Sequence, residues 1–291
     1  MGYAEERFHR NCRALGVSWY EAPAKNSWAL PSIASMPYEN LLKESFLGPW
    51  LPVPGSKSRQ QLHYISIAHW HESAKFMPAR PDLRDAVLHC PSAKEARKFA
   101  KARQQHWRGD WALVRHAVLV AGLAFMALDR PDLELLEVET TLLVHQLGEL
   151  KLTESFLALC VARFKEWGQG PRISTFGAAT APEHVIGKKL SKVVQNKPTW
   201  TLVSLCNKQA AWNIHDWALA QHVPVQYVGK PKLGTSASVM SELVDASNQL
   251  VVFEVKGGKK ADVIIQKARA KKVSVTLELF SPQELSAAQL V

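Results

Sequence analysis

From position 172 onward, short apolar runs alternate with helical periods, and this rhythm restricts the fold more than any other feature of the chain. The runs lie at 172–176, 200–205 (WTLVSL), 223–228, 250–255 and 273–279. Between them, 182–194, 210–221, 239–246 and 261–270 repeat apolar residues at helical spacing. Strands covered on both faces read as continuous apolar stretches, and helical crossovers join parallel neighbours. The expectation is a doubly wound α/β domain with a mainly parallel sheet built on 172–176, 201–205, 225–228, 250–255 and 273–277. Ligands of such domains favour the loops at the C-terminal strand ends.

The stretch WGQGP at 167–171 is the best linker in the chain. It divides 1–168 from 171–291, and 291 residues with 47% hydrophobic content can fill two cores. The first half reads as mainly helical with a few strands. Pro23, Pro31, Pro37, Pro49, Pro52 and Pro54 keep any elements of 1–60 short. FLGPWLPV at 46–53 suits a strand or a packed extended segment, and Pro54-Gly55-Ser56 suits a turn. Ser92 and Glu95 form a capping box opening a helix through Ala96, Phe99 and Ala100, with Lys94, Arg97, Lys98 and Lys101 on its exposed side. Asp110 is placed to cap a long apolar helix over 111–128. Further helices are expected at 83–88, 133–144 and 155–167, with Gly148 between the last two.

Within this half, LHYISIAHWHESAKF at 62–76 concentrates proton-binding groups. Ile67, Trp70, Ala74 and Met77 share one helical face, and Ala68, Glu72 and Phe76 form a neighbouring row. His69, Trp70, His71 and Glu72 are consecutive. Two histidines at i and i+2 on a helix point about 200° apart, so one metal ion is hard to share between them. The alternative is a buried helix whose polar residues happen to cluster.

Several classes are disfavoured. The chain has no uninterrupted apolar run of eighteen residues, so no membrane span is expected. MGYAEERFHRNCRALG lacks a signal peptide's apolar region, and Cys12, Cys90, Cys160 and Cys206 form no CxxC pair. Both point to a reducing compartment, the cytoplasm by default. Neither a GxSxG elbow nor a Walker A loop is present. The tryptophans at 70, 107, 111, 200, 212 and 217 occupy packing positions rather than a base-stacking platform. Net charge is +10, and positions 171–291 hold fifteen Lys/Arg against eight Asp/Glu. That surplus suits phosphates, nucleic acid or an acidic protein partner, or simply solubility.

The stretches AHWHESAKF, CPSAKEARKFAKA and WRGDWALVRHAVLVAGL resemble the NADAR family, the superfamily of the riboflavin-intermediate N-glycosidase. His69, Lys75, Phe76, Pro91, Arg108, Asp110 and Trp111 fit its pattern in order and spacing from about 64 to 128. The resemblance implies an α-rich pocket for ribose-phosphate or ADP-ribose-like ligands, with cleavage of an N-glycosidic bond. The family's glutamate falls on Ala68, however, and its glycine-arginine step on Ala100-Lys101. Glycosidic cleavage normally needs a carboxylate beside the anomeric carbon. Glu72, one turn further, is the candidate replacement, with Asp110 as a second carboxylate.

Positions 171–280 resemble the SLOG superfamily of Rossmann-like nucleotide processors and DNA-processing proteins. TLVSLCNKQAAWNIHDWALAQHVPV covers its first strand, loop and helix, and LVVFEVKGGKKADVIIQKARAKKVSV a later strand, double-glycine loop and helix. The first loop, Leu205 to Gln209, has no glycine, and bulk there hinders backbone approach to phosphate. The second keeps Gly257-Gly258 and adds Lys259-Lys260. It suits an anion, or a plain turn with exposed lysines.

The expectation is therefore a helix-rich NADAR-like domain followed by a SLOG-type Rossmann-like domain. Its function would be degenerate binding of a nucleotide-derived ligand, nucleic acid or protein partner, with no cofactor and no metal. An active N-glycosidase or ADP-ribosyl hydrolase is the alternative, and a basic component of a phage or mobile-element assembly a third. The candidate catalytic residues are Glu72 and Asp110. The candidate ligand contacts are His69, Lys75, Lys101, Arg108, Trp111, Ser204, Lys208, Gly257, Gly258, Lys259 and Lys260. For an active glycosidase, Glu72 is expected to line a pocket with Lys75, Arg108 and Asp110 nearby; for the degenerate case, it is expected to face solvent or an arginine on its own surface.

Overall fold

The computed structural model describes residues 41–53, 55–177, 183–197, 199–205, 212–229, 237–255 and 261–281. The chain forms two compact units, Met1–Lys165 and Glu166–Val291.

Unit 1 begins with a hairpin. Strand β1 (Phe46–Pro52) pairs antiparallel with β2 (Arg59–Tyr64). Helices α1 (Ile67–Ala74), α2 (Pro81–Leu88), α3 (Ala93–Ala102), α4 (Trp111–Asp129), α5 (Thr140–Leu147) and α6 (Glu154–Gly168) follow. Helix α1 packs against α2, α3 and α4 at once. It is therefore buried all round: every residue from 67 to 73 is inside, including His69, His71, Glu72 and Ser73. Trp70 fills the space between β1 and α4. Its ring meets Tyr64 edge-on at 5.0 Å and lies 5.5 Å from Phe125. Its indole N–H donates to the Val118 carbonyl at 2.7 Å. Gly122 makes this approach possible, because a Cβ there would collide with the Trp70 indole and with Ile67.

The structure corrects two expectations for this unit. The helix over 133–144 does not form as such: a 3-10 turn at Pro131–Leu133 is followed by Glu134 in the left-handed region, and α5 starts only at Thr140. The ammonium of Lys165 explains the delay. It takes the carbonyls of Leu135 (3.3 Å), Leu136 and Val138 (2.6 Å), which would otherwise accept intrahelical N–H bonds. Asp110 sits at the N-cap of α4 but makes no side-chain cap bond, since both of its oxygens accept from Arg108. Trp111–Asp129 is long and apolar enough by length and composition to cross a membrane, although Arg115 and His116 interrupt it. Half of its most apolar window is buried inside the protein, led by Val118, Leu119 and the run from 121 to 126.

Unit 2 is an α/β domain. Strands β3 (Arg172–Gly177), β4 (Thr201–Leu205), β5 (Val225–Val228), β6 (Gln249–Val255) and β7 (Ser274–Phe280) form one sheet in the order β5-β4-β3-β6-β7. Every pairing is parallel. Helices α7 (Glu183–Val193), α8 (Trp212–Ala220), α9 (Ala237–Asp245) and α10 (Asp262–Ala270) make the crossovers. On one face Val203, Leu205, Leu250 and Val252 pack under Leu243 of α9 and Ile264, Ile265 and Ala268 of α10. Leu202, Val251 and Phe253 alternate to the other face, and α7 and α8 supply Ile186, Leu190, Ile214 and Ala218 to the core. Strand order reverses between β3 and β6, the place where doubly wound sheets open a crevice. Gly177 ends β3 there with φ +86°, and a Cβ would strike the Phe253 carbonyl.

Candidate functional site

The groups gathered at α1 define a buried ionic cluster. Glu72 is 1% exposed and both of its carboxylate oxygens are engaged. Oε2 accepts from the Lys75 ammonium at 2.6 Å, and Oε1 from His71 Nδ1 at 3.2 Å. Lys75 is itself 7% exposed. Its ammonium stands 4.4 Å from the Trp107 ring centre and 5.7 Å from that of Trp111, a cation–π arrangement that offsets part of its desolvation. The His71 ring meets Trp111 edge-on at 5.0 Å.

Protonation follows from these contacts. Burial works to raise the Glu72 carboxyl, but the His71 N–H and the Lys75 ammonium oppose it and hold the group below the ordinary glutamate value. Burial lowers His71, helped by the positive charges of Lys75 and Arg115 and opposed by Glu72. Its Nδ1 carries the proton that Glu72 accepts. Its Nε2 is buried without a hydrogen-bond partner among the described residues, as is Nε of Arg115, one turn beyond Trp111 on α4.

A loop closes over the end of α1. The Arg108 amide donates to the Lys75 carbonyl at 2.7 Å. The Arg108 guanidinium then grips Asp110 through Nε (2.6 Å) and one terminal nitrogen (2.9 Å), and both side chains are partly exposed. Glu72, Lys75, Arg108, Asp110 and Trp111 are thus brought to one region by α1, the loop before α4 and the first turn of α4. Trp107, tied by its indole N–H to the Ala100 carbonyl at 2.9 Å, completes it.

Other candidates behave differently. Glu72 does not face solvent or a surface arginine, because three helices enclose the face that carries it. Both ring nitrogens of His69 are engaged inside the protein: Nε2 donates to the Cys90 carbonyl at 3.0 Å, so Nδ1 accepts from the Ser66 hydroxyl at 2.8 Å. Ala68 is 6% exposed, inside the core. Lys101 stands exposed on α3, on the side opposite buried Ala96 and Ala100. In unit 2, Ser204 is buried on β4 and its hydroxyl donates to the Leu205 carbonyl at 3.3 Å. Lys208, Gly257, Gly258, Lys259 and Lys260 lie outside the described residues.

Sequence reasoning missed His71 as a partner of Glu72, Trp107 as the platform under Lys75, and Arg115. The i+4 step from Trp111 to Arg115 was a visible signal. The packing of Trp107 on a helix far earlier in the chain was not. It also missed a chain of polar groups in unit 2. His215 of α8 is fully buried, with Nδ1 3.1 Å from Asp216 and Nε2 2.7 Å from the Tyr227 hydroxyl on β5.

No protein-family model matches the chain, and no curated protein matches it significantly.

Proposed function

We propose that unit 1 binds an anionic, nucleotide-derived ligand and does not cleave it. The observation that carries this reading is the state of Glu72. A glycosidase needs one carboxyl kept protonated near neutral pH to act as general acid, which means a raised pKa. The contacts of Glu72 move it the other way, and the group is buried with His71 on one oxygen and Lys75 on the other. At the position where a NADAR-type glutamate would stand there is a buried alanine. What the region can offer is the partly exposed Arg108 guanidinium, which a phosphate would share with Asp110, and the indole surface of Trp107 and Trp111. These suit the phosphates and ring system of ADP-ribose-like molecules.

The test is a thermal-shift titration with ADP-ribose, with product analysis of the same samples. Ligand should raise Tm, by linkage to the folded state, and leave the ligand intact. Arg108→Ala and Trp111→Ala should each remove most of the shift. Release of base or ribose from ADP-ribosylated guanine or an amino-pyrimidine ribose phosphate, abolished by Glu72→Gln with folding intact, would make the protein an N-glycosidase and end the binding-only reading.

A further inference from the structure

Unit 1 carries its net charge in one place. Positions 1–165 hold twenty-one Lys/Arg against seventeen Asp/Glu, and positions 80–106 alone hold seven against three. The rest of the unit is balanced. Two of those three acids are committed locally: Asp82 pairs with Arg80 at 2.6 Å and Asp85 with Arg84 at 2.7 Å. The Arg97 guanidinium donates to the Glu149 carbonyl. The remaining surplus sits on α3. Lys94, Lys98 and Lys101 follow each other at i, i+4 and i+7, which puts them within about 60° of one another around the helix. All three are exposed, and none makes an ion pair among the described residues. Arg103, stacked 3.8 Å above Phe99, extends the basic end of the same helix.

We propose that this face of α3 binds the phosphodiester backbone of nucleic acid without reading its sequence. The three lysines rise along the helix in steps of about 6 and about 4.5 Å. Ammonium groups on long flexible stems can therefore meet successive phosphates of one strand. Gln104 and Gln105, exposed just beyond, add neutral donors and acceptors suited to sugar and phosphate oxygens. The only aromatic ring of the helix, Phe99, is partly buried on the inner side and covered by Arg103, so base stacking contributes nothing. The site shares no residue with the Glu72 cluster and stands whether or not that cluster binds a nucleotide.

The experiment is fluorescence anisotropy on the full chain with labelled single-stranded DNA, single-stranded RNA and duplex DNA across a salt series. Binding should weaken steeply with salt. Replacing Lys94, Lys98 and Lys101 together by alanine should cost about tenfold or more at low salt. It should also flatten the log–log salt slope by about 2 to 3, at about 0.7–0.9 for each phosphate no longer neutralised. The triple arginine variant should bind like the parent, which separates lost charge from lost fold. Removing equal charge in unit 2, through Lys267, Lys271 and Lys272→Ala, should leave that slope contribution in place. An unchanged affinity and slope in the triple alanine variant would overturn the proposal. So would failure of all three nucleic acids to bind at low salt.

Discussion

Glu72 shows how little a residue type says about its role. Its sequence neighbourhood suggests a migrated catalytic acid, and its i+3 relation to Lys75 is visible in advance. What decides its chemistry is the His71 N–H and the Lys75 ammonium, which oppose burial and keep the carboxylate ionised, and that ammonium in turn stands against the indole of Trp107, from another part of the chain. A charge enclosed in this way is costly to orphan, about 3–5 kcal/mol for one partner of a buried pair. His116 makes a separable prediction at this scale. Burial, with the nearby charge of Arg163 next, lowers it to about 4. A histidine depressed on folding is neutral in the folded chain while the unfolded chain already takes up a proton. Stability therefore falls as pH drops from about 6.5 towards 4, by up to about 1.4 kcal/mol per pH unit for one proton. Urea midpoints measured across this range should decline, and His116→Gln should reduce the decline. Equal slopes in both proteins would show that His116 titrates normally in the fold.

At the scale of elements, the strands and crossover helices of unit 2 were legible because each fully covered strand is a continuous apolar run. The Ser92 N-cap before α3 was legible for a similarly local reason, and its hydroxyl accepts from the Glu95 amide. The start of α5 was not legible. Lys165, on another helix, diverts carbonyls that an isolated segment would use internally, and no local pattern reveals that. Nor does the pattern at 62–76 reveal that α1 is enclosed on every side. Helix α1 owes its place to Trp70 entering the gap at Gly122, and that packing can be tested alone. Gly122→Val should destabilise unit 1 by about 1–3 kcal/mol through overpacking, and should change the tryptophan near-UV signal. Unaltered stability and an unaltered signal would mean that the two helices do not meet as described.

For the whole molecule, an α/β chain of a helical unit and a doubly wound parallel sheet follows from the pattern of elements, while function resides in particular sites. The binding-only reading of unit 1 turns on its buried carboxylate being ionised and structural. Carbon-13 NMR titration of the Glu72 carboxyl, assigned by comparison with Glu72→Gln, reads that state at the atom concerned. Protonation should fall below the ordinary glutamate value of 4.5, and should move upward when Lys75 is replaced by methionine. A midpoint near 6 or above in the parent protein, with Lys75 in place, would give the site a competent general acid and refute the structural role of Glu72.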